Sequence, residues 1–72
     1  MNETVKLWLL TMVNGELLMV HNDIRNNQVW QSGSSTDEEV EMFGNNIRDL
    51  EEFKSILESL KKQIEEERIY AE

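Results

Sequence analysis

Two patterns of apolar residues with different periods divide the chain. From Thr4 to Val13 nearly every position is β-branched or large and apolar; Asn14-Gly15 follows, and Glu16–Asp23 resumes the apolar run. Asn-Gly between two such runs is a strong hairpin signal, because a type I′ turn needs positive φ at both central residues. The pattern predicts a β-hairpin whose two-residue turn fixes its register. Leu9 then opposes Val20 on one face, while Met12 opposes Leu17, Leu10 opposes Met19 and Trp8 opposes His21 on the other. Arg25-Asn26-Asn27 reads as a second turn and Gln28–Ser32 as a short third strand. Gly33–Thr36 reads as a polar loop.

The period then changes. Thr36-Asp37-Glu38-Glu39 has the form of a capping box, in which the threonine hydroxyl accepts from the N–H of Glu39. Beyond it Val40, Phe43, Ile47, Leu50, Phe53, Leu57, Leu60 and Ile64 recur at spacings of three and four, one face of a helix. Gly44-Asn45-Asn46 interrupts the segment without shifting the phase of the stripe, so one helix or two are both compatible with it.

The predicted fold class is thus α+β: residues 1–72 form a single domain, with a β-meander over 1–32, a loop over 33–36 and a mainly helical segment over 37–72. A three-stranded antiparallel sheet, made of the N-terminal hairpin plus a short third strand, packs against one long C-terminal helix. One helix covers one face of a sheet. The other face would present Trp8, Leu10, Met12, Leu17 and Met19, a patch larger than monomers usually leave in water. Those five residues are the candidate interface, and a two-fold homodimer is the expected way to cover it.

Size and charge sharpen this expectation. Seventy-two residues bury a small core, and such chains often need disulfides, a metal or a partner. The chain has no cysteine and one histidine, which leaves association as the available remedy. The net charge of −8 is uneven: residues 1–36 carry −1 and residues 37–72 carry −7. That balance argues against direct nucleic-acid binding and against anionic membrane surfaces. No apolar run approaches the roughly 20 residues of a membrane span, no targeting segment is evident, and a cytoplasmic location is expected.

No catalytic constellation emerges, and no cofactor or metal site is expected. His21, set opposite Trp8, reads as a surface residue against an indole, and no glycine-rich phosphate loop is present. The acidic half admits one sharper reading. Glu51, Glu58, Glu65 and Glu66 on an outer helix face could imitate a phosphate array and inhibit a nucleic-acid-binding protein. Lys54, Lys61, Lys62 and Arg68 break up that field, which favours an ordinary solvated face.

Taken together, the Asn14-Gly15 hairpin, the Val29-Trp30 strand and the Phe43–Ile64 stripe resemble the YopT-like family of small Bacillus prophage proteins. The resemblance implies three strands and one helix per subunit, a homodimer and no known activity. It carries no link to the cysteine-protease effector of similar name, since this chain has no cysteine. The expected function is a non-enzymatic protein–protein interaction module of prophage type. Its partner is expected to be a second copy or an unidentified host protein.

Overall fold

The computed structural model describes residues 2–66, and they form two long helices and no strand. Helix α1 spans Glu3–Ser32 and helix α2 spans Asp37–Glu65. The two pack side by side as an antiparallel helical hairpin, joined by residues 33–36. The α+β fold is therefore corrected to an all-helical one. The three-strand subunit implied by the family resemblance is absent among the described residues.

Helix α1 passes straight through Asn14-Gly15 and through Arg25-Asn26-Asn27. Both segments are turn signals by composition, and both are overridden by a seam of apolar contacts. Leu10, Val13, Leu17, Val20, Ile24, Asn27 and Gln31 alternate at spacings of three and four, and every one is buried or half-buried. This is the heptad pattern of a helix packed along its length against another helix. A mid-helix glycine costs about 1 kcal/mol relative to alanine. Each fully buried Val or Leu returns about 1.5–3 kcal/mol. Val13 and Val20, both buried, flank Gly15 and outweigh it.

The helix ends follow from local chemistry. The Asn2 side-chain oxygen accepts from the Thr4 N–H at 2.7 Å, capping α1. At the other end the Ser32 hydroxyl donates to the Val29 carbonyl and the Ser34 hydroxyl to the Trp30 carbonyl, at 2.9 and 2.8 Å. The Val29 carbonyl also accepts from the Gly33 N–H at 3.2 Å, so these hydroxyls supplement the backbone bonds of the last turn. Thr36 caps α2: its hydroxyl accepts from the Glu39 N–H at 3.2 Å. Asp37, Glu38 and Glu39 in the first turn oppose the positive end of the helix dipole.

Helix α2 is continuous through Gly44-Asn45-Asn46. A Cβ at position 44 would stand 3.1 Å from the Gln31 side-chain nitrogen, so the glycine makes room for Gln31 to cross to α2. There Gln31 donates to the Val40 carbonyl at 3.0 Å. Asn46 donates to the Asn27 side-chain oxygen at 3.2 Å, and Asn27, only 8% exposed, donates to the Asp23 carbonyl at 2.7 Å. Asn27, buried in the seam and tied across it to the exposed Asn46, favours one alignment of the helices over slipped ones. Trp30 and Phe43 close the loop end, ring centroids 5.9 Å apart.

The α2 side of the seam is Phe43, Ile47, Leu50, Lys54, Leu57, Lys61 and Ile64, all buried or half-buried. Lys54 takes the place expected for Phe53, which is 43% exposed. Lysine stems lie along apolar surface while their ammonium heads reach water. The core is small: Val13, Val20, Leu57 and Ile64 are its buried apolar members, with Leu9, Leu10, Leu17, Ile24, Leu50 and Leu60 packed around them. The Cα trace measures 53 × 17 × 10 Å, a slab one helix thick. Its radius of gyration is 16.1 Å, against about 11 Å for a compact domain of this length.

Candidate interaction surface

A slab of two helices has two broad faces, and the sequence treats them differently. Helical positions advance by about 100° per residue, so the seam fixes which side chains flank it on each face. Because the helices are antiparallel, residues rotated in the same sense from the seam share a broad face. Asn27 beside Asn46 and Trp30 beside Phe43 set the heights at which the helices meet.

One broad face is apolar. Helix α1 contributes Val5, Met12, Met19 and Trp30, and α2 contributes Met42, Phe53 and Ile56; all seven are exposed. Met19 is 59% exposed and Ile56 63% exposed, values expected of charged surface residues rather than of these types. Half-buried Leu9 and Leu60 join this face to the core. Trp8 and Val29 stand on the adjoining outer ridge of α1. Its main stretch runs from Val5 to Met19, about 21 Å at 1.5 Å per residue, with Glu16 as the one charged residue of α1 within it and Leu60, Ile56 and Phe53 alongside. An open depression of about 410 Å³ lined by Ser55, Ile56, Ser59, Leu60 and Gln63 marks its α2 border.

Among the described residues, the charges placed on this face are of one sign. Glu16, Asp23, Glu39 and Asp49 fall on it, whereas Arg25, Arg48 and Lys62 fall on the other broad face, and Lys6, Lys54 and Lys61 fall at seam positions. Asp23 and Asp49 lie at one height, beyond the Met19 end of the apolar stretch. The opposite broad face carries Glu51, Glu58 and Glu65 in a row, mixed with those bases, and only Leu7 and Leu18 as exposed large apolar residues.

The residues singled out from sequence are split by this geometry. Trp8, Met12 and Met19 point outward, while Leu10 and Leu17 pack into the seam. Glu51, Glu58 and Glu65 share the polar face, and Glu66 ends α2 as its C-cap. His21 and Trp8, paired in the expected hairpin, lie thirteen residues apart on one helix, about 20 Å. Met42, Phe53, Ile56, Glu16 and Asp49 belong to the apolar face and were not anticipated. Ile56 and Met42 are apolar residues off the α2 stripe, and that misfit was the available signal.

Among the described residues no group of His, Cys, Asp and Glu is placed to hold a metal ion, and no helix is long and apolar enough to cross a membrane. No protein-family model matches the chain, nor does any curated protein or solved structure.

Proposed function

We propose that the chain is a non-enzymatic protein–protein interaction module that acts through its apolar broad face. The observation that carries this reading is the concentration of exposed apolar side chains on one side of a slab too thin to bury them. Among the described residues, seven of the twelve exposed large hydrophobic side chains fall there and two more adjoin it. Contiguous apolar patches of this kind mark interaction sites on soluble proteins. The methionines at 12, 19 and 42 all lie on it, and methionine side chains adapt to a partner's shape.

The test is site-specific photo-crosslinking in cells, with benzoylphenylalanine placed at Met19 on the apolar face or at Glu58 on the polar face. Protein adducts from position 19 and few from position 58 are expected. No adduct from position 19, or equal yields from both positions, would refute the reading.

A further inference from the structure

We infer that the apolar face receives a cationic amphipathic helix from another protein, laid lengthwise in the valley between α1 and α2. This rests on the interaction-module reading and names the chemistry of the partner. Length and shape come first. The valley between two packed helices seats a third at the 8–10 Å spacing of helix pairs. The stretch from Val5 to Met19 accommodates about four turns. An amphipathic helix entering such a groove is a recurrent mode of recognition.

Charge selects the partner. Every charged residue on the apolar face is acidic, and the bases of the described chain stand on the opposite face or at the seam. Glu16 lies within the apolar stretch, and Asp23 and Asp49 close its end at one height. A second copy would bring the same acids against one another, each chain already carrying −8. A helix with leucines along one stripe and lysines or arginines beside it would bury the apolar face and meet those carboxylates. The seven residues from Glu16 to Asp23, about 10.5 Å along the axis, set the spacing its basic residues need.

The experiment titrates the full chain with a 20-residue amphipathic Leu–Lys peptide, read by calorimetry. Matched Leu–Glu and scrambled Leu–Lys peptides serve as controls. Binding of the Leu–Lys peptide tighter than about 100 μM is expected, weakening as salt is raised. Glu16→Lys with Asp49→Lys should weaken it at least tenfold, as should Ile56→Ser. Glu51→Lys with Glu58→Lys, an identical charge change on the opposite face, should leave it within twofold. All these positions are exposed, and far-UV circular dichroism checks that each variant is helical. Equal loss from both charge-reversal pairs, or equal binding of the Leu–Glu peptide, overturns the inference. Sedimentation supplies the other arm. A two-copy species that Ile56→Ser dissolves and the peptide cannot displace would assign the face to a second copy. That result would overturn the cationic helix while leaving the interaction module standing; absence of crosslinks at Met19 would remove both.

Discussion

Replacing Gly15 with alanine separates the helical fold from the hairpin that the Asn-Gly pair suggests, because the two predict opposite signs. In the structure Gly15 is an exposed residue in the interior of α1, and a Cβ added there meets nothing within 4 Å. No contact is lost, so the change should express the full helix-propensity difference, about 0.8–1.0 kcal/mol in favour of alanine. In a type I′ turn the same alanine would be held at positive φ, at a cost of roughly 1–2 kcal/mol. Urea unfolding followed by the helical circular dichroism signal should show Gly15→Ala with a higher midpoint and an unchanged slope. In a thermal scan the melting temperature should rise by about 4–8 °C. Gly44→Ala is the internal control: its Cβ would stand 3.1 Å from the Gln31 amide nitrogen and disturb the bond to the Val40 carbonyl. Losing that bond offsets about 0.5–1.5 kcal/mol, so the net change should be near zero. A lower midpoint for Gly15→Ala would refute the helical assignment of this segment.

Two further perturbations test the packing. Ile64, 1% exposed, should lose about 2–5 kcal/mol on change to alanine, enough to unfold a hairpin with so small a core, whereas Ile56→Ala, 63% exposed, should stay within about 0.5 kcal/mol in the same urea assay; the reverse order would mean that α2 presents its other side to α1. Asn27→Leu should melt no lower than the parent chain, since an apolar residue suits the seam, but should show doubled or broadened amide resonances as helix alignment loosens; one sharp set would remove the alignment role of the Asn27–Asn46 pair.

What was legible in the sequence differs between the two halves for a physical reason. In α2 the apolar stripe is narrow and its surroundings are charged, so the period of the helix stands out, and the Thr36 cap lies where the sequence places it. In α1 apolar residues serve both the seam and the exposed face. Val5, Trp8, Met12 and Met19 fill positions that an ordinary surface helix would make polar, and the 3.6-residue period is masked. The same excess gives the expected hairpin two apolar faces, one of which a single helix leaves uncovered. The demand for a cover persists in the helical fold on a partly different set: Trp8, Met12 and Met19 stay exposed, while Leu10 and Leu17 turn into the seam. Leu10, Val13, Leu17, Val20 and Ile24 do keep strict three-four spacing. The run is also rich in leucine and methionine, which favour helix over strand. Asn-Gly outweighed both signals because turn preference is local, whereas the seam that overrides it is supplied by residues about forty positions away.

The four-residue connection between the helices also gives the hairpin a direction of assembly. Separation along the chain grows steadily away from the bend: nine residues divide Gln31 from Val40, thirteen divide Trp30 from Phe43, and nineteen divide Asn27 from Asn46. The entropy lost in closing a loop rises with the logarithm of its length, so contacts nearest the bend form at least cost. Each contact that forms shortens the loop left for the next. The molecule is in this sense a zipper with one closed end. Trp30, Phe43 and the Gln31–Val40 bond act as its starting clasp, and Val13, Leu57 and Ile64 engage last although all three are buried teeth.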